Sequence, residues 1–150
     1  MLKDWVKTKR PEEEEINERL AKSRAQLTGM QMAIKEKKLP VLVIFDGWGA
    51  AGKGSVLGKV IKNLDPRFYK TESLSKPSED EMRRPFLYRY FIRIPEAGKF
   101  SFFDESWMGE VTSDYLHENI SQEDYHRRLT SIKRFERTLT DNGYLVVKFF

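Results

Sequence analysis

With 150 residues, 39% of them hydrophobic and 33% charged, the chain has room for one core, and disordered, collagen-like and disulfide-scaffold classes fall away. Cysteine is absent, which also excludes thiolate metal sites and cysteine nucleophiles and fits a reducing compartment. A net charge of +4 points to an anionic partner and leaves phosphates, nucleic acid and membrane open.

The opening Met1-Leu2-Lys3-Asp4-Trp5 lacks the apolar run of a secretory signal. The longest uncharged apolar stretch, 39–45, is far shorter than a bilayer-spanning helix, so a cytoplasmic protein is expected. Residues 11–38 read as one amphipathic helix, giving an N-terminal helical segment (1–38) before a core (39–150). Pro11 suits a first helical position and the acidic run 12–15 a positive helix end, while Ile16, Leu20, Leu27, Met30 and Ile34 fall on one face. That helix is expected to serve packing alone.

After Pro40 the pattern changes to Val41-Leu42-Val43-Ile44-Phe45, a β-branched apolar run that reads as a strand buried on both faces of a parallel sheet. A glycine-rich turn follows, then a helix over 53–64 ended by Asp65-Pro66. A short strand is predicted near 69–74, and Ser78-Glu79-Asp80-Glu81 matches a capping box whose helix Pro85 kinks or delays. Phe100-Ser101-Phe102-Phe103 reads as the next strand, ending at Asp104. Ser121 with Asp124 marks a helix start, Asp141-Asn142-Gly143 its stop, and 144–150 a last strand. The alternation predicts an α/β domain, a mostly parallel sheet with helices on both faces. A domain seldom stops inside an apolar strand, so a fragment of something longer is expected.

The strongest local signal is Gly47-Trp48-Gly49-Ala50-Ala51-Gly52-Lys53-Gly54, between the buried strand and a helix. It fits the first seven positions of the phosphate-binding loop G-x-x-x-x-G-K-[ST]. Small residues let backbone N–H groups converge on phosphate oxygens, the helix start adds partial positive charge, and Lys53 reaches the terminal phosphates. Gly54 stands where a metal-touching hydroxyl is usual, with Ser55 one residue on. Asp104, at the carboxyl end of its strand, is placed to hold Mg²⁺ directly or through water; a helix N-cap is the bland alternative. The segment Arg83, Arg84, Tyr88, Arg89, Tyr90, Phe91 and Arg93, followed by Lys99, reads either as a core helix with a basic rim or as an anion channel. His117 and His126 have no partner at ligand spacing, and Ser73, Ser75 and Ser101 have no base in a recognisable pattern.

Taken together, the run 41–47, Ala50-Ala51-Gly52-Lys53-Gly54, Leu64-Asp65-Pro66-Arg67, Lys76-Pro77-Ser78, Arg89, Pro95, Ala97-Gly98, Phe103-Asp104 and Ser106-Trp107 resemble the polyphosphate kinase type 2 family over roughly residues 12–150. The resemblance implies a three-layer, thymidylate-kinase-like P-loop fold, truncated here before the lid. It also implies phosphoryl transfer between inorganic polyphosphate and AMP or ADP, with Mg²⁺. It assigns working roles to Lys53 and Asp104 and matches Arg89 to an arginine of the family's basic segment. By its terms Gly47, Gly49, Ala50, Ala51, Gly52, Lys53, Gly54 and Ser55 bind phosphate, Arg83, Arg84, Arg89 and Arg93 track the anionic chain, and Asp104 is the metal ligand.

The family's usual patterns, G-x-D-x-A-G-K-G and D-R-S-W-Y followed closely by another arginine, meet departures here: Gly49, Glu105, Met108 and Glu110. Opposed charges a few ångströms apart are worth about 1 to 4 kcal/mol at effective dielectrics of 80 to 20, so anions beside phosphate would weaken catalysis. The family includes tandem forms in which one half loses working residues, and this chain resembles such an N-terminal half, with a second catalytic half or a homo-oligomer as partner. The rival readings are a non-catalytic nucleotide- or polyphosphate-binding half, a nucleoside monophosphate kinase and a single-strand nucleic-acid binder. The resemblance points away from the last and from any membrane partner.

Overall fold

The structure, a computed structural model, describes residues 11–150; the first ten, including the N-terminal stretch read above for a signal, lie outside the described residues. Helix α1 (Glu13–Glu36) leads into strand β1 (Val41–Phe45), helix α2 (Lys53–Ile61) and strand β2 (Tyr69–Ser73). The short helices α3 (Glu79–Met82) and α4 (Tyr88–Phe91), strand β3 (Phe100–Asp104), helices α5 (Trp107–Leu116) and α6 (Gln122–Asp141) and strand β4 (Leu145–Phe149) complete it. The strands form one parallel four-stranded sheet in the order β2-β3-β1-β4.

The two central strands are β1 and β3, and their near-continuous apolar sequences follow from being covered on both faces. Alternation along β1 divides the core. Leu42 and Ile44 join Tyr90, Phe103, Trp107, Val111, Ile132 and Leu139 on the side of α4, α5 and α6. Val41, Val43 and Phe45 join Leu57, Leu64, Phe100 and Phe102 on the side of α1 and α2. This is the expected three-layer α/β arrangement, and each fully buried large side chain in it contributes about 1.5–3 kcal/mol of transfer free energy.

Helix α1 uses only part of its predicted face. Leu27 and Ile34 pack on the second cluster, whereas Leu20 and Met30 stay exposed. A buried polar contact does the anchoring: Gln31 accepts a hydrogen bond from Asp65 N–H at 2.9 Å and donates to Asp65 O at 3.3 Å. At the other end Gly98 lies against the backbone of Lys35, where an added Cβ would meet Lys35 Cα and O at 3.2 Å.

Three elements differ from the sequence expectation. Helix α2 ends at Ile61 rather than 64, in a turn closed by Leu64 N–H to Ile61 O at 2.9 Å. Pro85 splits its segment: α3 starts at the Ser78–Glu81 capping box and stops at Met82, and α4 begins beyond the turn at Tyr88. The third is α5, absent from the sequence reading. Its cap is Ser106, whose Oγ accepts from Met108 N–H at 3.2 Å, and it buries Trp107 and Val111. Among the described residues no helix is long and apolar enough to cross a membrane.

Candidate functional site

The carboxyl ends of β1 and β3 lie side by side, with Phe45 opposite Asp104, and open parallel sheets bind ligands at that edge. From β1 the chain passes through Asp46 into the loop 47–52 and enters α2 at Lys53. Gly52 makes the entry in the left-handed conformation, φ 79°, which glycine adopts without strain. No side chain caps α2, so the amides of its first turn remain available to an anion. Lys53 folds back along the loop, its ammonium donating to Gly47 O at 3.0 Å and Trp48 O at 3.1 Å. Ser55 is exposed one turn position further on.

Across from the loop, Asp104 points at the start of α2: its Oδ2 lies 3.5 Å from where a Cβ on Gly54 would sit. The position lacking a hydroxyl in sequence is thus the one directly under this carboxylate. Two further acids converge here. Asp46 accepts from Ser106 N–H at 2.9 Å and from Ser106 Oγ at 2.7 Å, clamping the end of β1 to the turn after β3. Glu105 N–H closes the same turn onto Phe45 O at 3.0 Å, and its carboxylate lies 3.3 Å from Lys53 Nζ. Of these acids Glu105 is the one paired with the Lys53 ammonium, while Asp46 is taken up by Ser106 and Asp104 faces the start of α2. Asp46 was not singled out in sequence, although it carries the same signal as Asp104, an acid at the end of an apolar strand.

Of the four arginines expected along an anionic track, Arg83 and Arg84 are exposed, with Arg84 stacked over Tyr88 at 4.5 Å. Arg89 is buried, 4% exposed, and donates to Ser75 O. Glu110 lies 3.7 Å from its Nη1 and Glu81 lies 3.9 Å from its Nε, which has no hydrogen-bond partner. Arg93 lies 3.5 Å from both Glu72 and Glu81 and donates to Arg89 O. Arg89 is thus buried among carboxylates, and Arg93, partly exposed, is paired with two of its own. The hydroxyl of Tyr90 donates to Glu110 at 2.5 Å, and burial first, then this carboxylate, pushes its ionisation far above the usual phenol range. The serine capping bond, followed by Arg89 and Arg93, holds Glu81 below the ordinary carboxylate range.

A cavity of about 600 Å³ runs from the loop between α1, α2 and the sheet. Its walls near Leu27, Val43, Val56, Val147 and Phe149 are apolar, with Asp46 and Lys53 among the charged residues at its edge.

The family model for Polyphosphate kinase 2 matches residues 10–150. The chain belongs to that family. It is 36% identical over 137 residues to a polyphosphate:AMP phosphotransferase of Pseudomonas syringae pv. tomato, covering 91% of this chain and 28% of that protein. It is 29% identical to ADP-polyphosphate phosphotransferase 1 of Rhizobium meliloti, covering 98% of this chain and 49% of that protein. A crystal structure of a Pseudomonas aeruginosa PA01 protein described as a polyphosphate kinase 2 superposes with a TM-score of 0.88 at 32% identity, covering 94% of this chain and 31% of that one. The chain therefore spans between about a quarter and a half of the length of these relatives, and its sheet and helices are those of a P-loop kinase-like α/β fold. Kinases of this family are phosphotransferases that generally need a divalent metal. Among the described residues no group of three or more histidines and carboxylates could hold one unaided. Asp104 fits a metal shared with phosphate oxygens and water, the mode in which one protein carboxylate suffices.

Proposed function

We propose that this chain is a phosphotransferase domain acting between inorganic polyphosphate and AMP or ADP, with Mg²⁺ as its metal and the cytoplasm as its place of work. The observation that carries the reading is the junction of loop and helix, where Lys53 and the uncapped amides of α2 face Asp104 across the end of the sheet. Phosphoryl transfer needs little covalent chemistry from a protein; positioning and charge neutralisation do most of it. The amides of residues 47–55 and the Lys53 ammonium bind and orient the terminal phosphates. Asp104 holds Mg²⁺, which when bound neutralises charge on the transferred group. Arg83 and Arg84, exposed, meet the chain where it leaves the loop, while Arg89 and Arg93 shape the wall behind it. A second half or a second copy of the chain is the expected partner.

Lys53→Ala is the test. A charge-assisted contact to phosphate is worth about 1.5–3 kcal/mol, so affinity for ADP and for tripolyphosphate is expected to fall about 10- to 150-fold in calorimetry, with an unchanged circular dichroism spectrum. Equal affinity in the variant removes the phosphate-loop assignment.

A second reading, a half that binds polyphosphate or nucleotide without turning it over, is favoured by the Glu105 carboxylate on Lys53 and by glycine at position 49, where the resembling pattern carries an acid. Under it the purified chain binds but does not turn over. Steady conversion of AMP or ADP with polyphosphate and Mg²⁺ at ordinary kinase rates, about 1–100 s⁻¹, contradicts it.

A further inference from the structure

The turn after β3 is unusual in its backbone. Glu105 has φ 72°, in the left-handed region that a side chain makes costly, and it is held there by its N–H bond to Phe45 O and by the Asp46–Ser106 clamp on the next residue. That conformation carries the Glu105 carboxylate back over the loop to Lys53. An ammonium has only three N–H donors. Two of them go to Gly47 O and Trp48 O, at 3.0 and 3.1 Å, and Glu105 Oε1 lies 3.3 Å from the same Nζ as its ion-pair partner. A phosphate oxygen approaching the remaining donor of Lys53 comes up against the Glu105 carboxylate. The two carbonyls are part of the loop; the carboxylate is the charged, solvent-facing member, its side chain 60% exposed against 10% for the lysine.

We propose that Glu105 is an internal anion that competes with ligand phosphate for Lys53, an autoinhibitory contact that lowers the affinity of this loop for polyphosphate and nucleotide phosphates. The inference rests on the phosphate-loop reading above. Competition acts in two ways, by neutralising the Lys53 charge in an ion pair and by repelling a polyanion at close range. At an exposed, solvent-screened position both effects are modest, so removing the charge should tighten binding about five- to tenfold. A plain surface salt bridge would leave ligand affinity unchanged. A carboxylate that held Lys53 ready for ligand would, on removal, weaken it.

The experiment is a calorimetric titration with sodium tripolyphosphate in chelator-containing buffer, so that no metal bridges carboxylate and phosphate. It compares the parent chain, Glu105→Gln, Glu105→Gly, Lys53→Ala and the double variant Lys53→Ala/Glu105→Gln at low and high salt. The glycine variant removes the carboxylate and relieves the backbone strain together, so a folded comparison survives if glutamine disturbs the turn. Both single Glu105 variants are expected to bind about five- to tenfold more tightly than the parent at low salt, with the gain shrinking at high salt and on the Lys53→Ala background, where only the repulsion remains. Affinity equal to or below that of the parent in both variants, with parent binding still dependent on Lys53, overturns the inference and leaves the phosphate loop standing. Binding by the parent that is indifferent to Lys53→Ala overturns both.

Discussion

Glu110→Arg is expected to destabilise the domain by about 3 kcal/mol, because breaking a buried ion pair leaves an uncompensated charge inside the protein. Arg89, 4% exposed, has Glu110 at 3.7 Å and Glu81 at 3.9 Å as its neighbouring anions, and the variant would put a second guanidinium where the nearer one was. The Tyr90 hydroxyl loses its acceptor in the same step. The figure sits at the low end of the range for buried pairs, since Glu81 remains and the Glu110 side chain is 18% exposed. For a chain of this length that is a fall of roughly 10 °C in melting temperature. Glu110→Gln also removes the nearer anion of Arg89 but adds no second cation and keeps an acceptor for Tyr90, so it is expected to cost less, about 2 kcal/mol. Glu105→Arg, on an exposed side chain, should stay within about 0.5 kcal/mol of the parent. Denaturant midpoints by circular dichroism order the three, and a Glu110→Arg midpoint level with that of Glu105→Arg refutes the placement of Glu110 inside the arginine cluster.

The two acidic residues that stand where the resembling pattern carries arginine therefore differ in kind. Glu105 is exposed and paired with Lys53 beside the glycine-rich loop, where the inference above has it bear on affinity. Glu110 faces inward and bears on stability, because Arg89 turns away from the surface and needs a counter-charge. Restoring arginine at both positions together would mix a binding effect with an unfolding one.

Much of the architecture was legible because its causes are local. An unbroken apolar run such as Val41–Phe45 has few alternatives to a doubly covered strand, and Ser78 with Glu81 announces a cap. Asp104 was readable for the same reason, as a carboxylate where an apolar strand runs out. Helix α5 was not, because Gly109, Val111, Thr112 and Ser113 are weak helix formers and the helix is held by what it buries, Trp107 and Val111. The direction of Arg89 was hidden too. It depends on the phase of a four-residue helix and on carboxylates arriving from α3 and α5, and neither is encoded in the run of arginines and aromatics around it. The hold of Glu105 on Lys53 required a left-handed turn at a non-glycine residue, which the sequence alone gives no reason to expect.

Trp107→Ala is expected to cost about 3–5 kcal/mol, the usual range for removing a large buried aromatic. The indole is wholly buried, with Tyr90, Phe103 and Phe135 around it at centroid distances of 5.5, 6.1 and 5.1 Å. Its Nε1 donates to Glu136 Oε1 at 2.8 Å, and Glu136 also accepts from Lys148 on β4. One side chain thus ties the start of α5 to α6 and, through Glu136, to the edge strand. Its neighbour in sequence is Ser106, which Asp46 clamps, so the same residue backs the turn that presents Asp104 and Glu105 to the phosphate loop. Trp107→Phe refills most of the volume and should recover all but about 1–2 kcal/mol, the share of the hydrogen bond to a charged acceptor and of the missing ring atoms. Because Trp5 and Trp48 remain as fluorophores, unfolding is best followed by circular dichroism in urea. A loss below 1 kcal/mol in Trp107→Ala, or a phenylalanine variant no better than alanine, contradicts the keystone position given to this indole: the first would mean that the cluster collapses around the gap, the second that the hydrogen bond to Glu136 outweighs the packing.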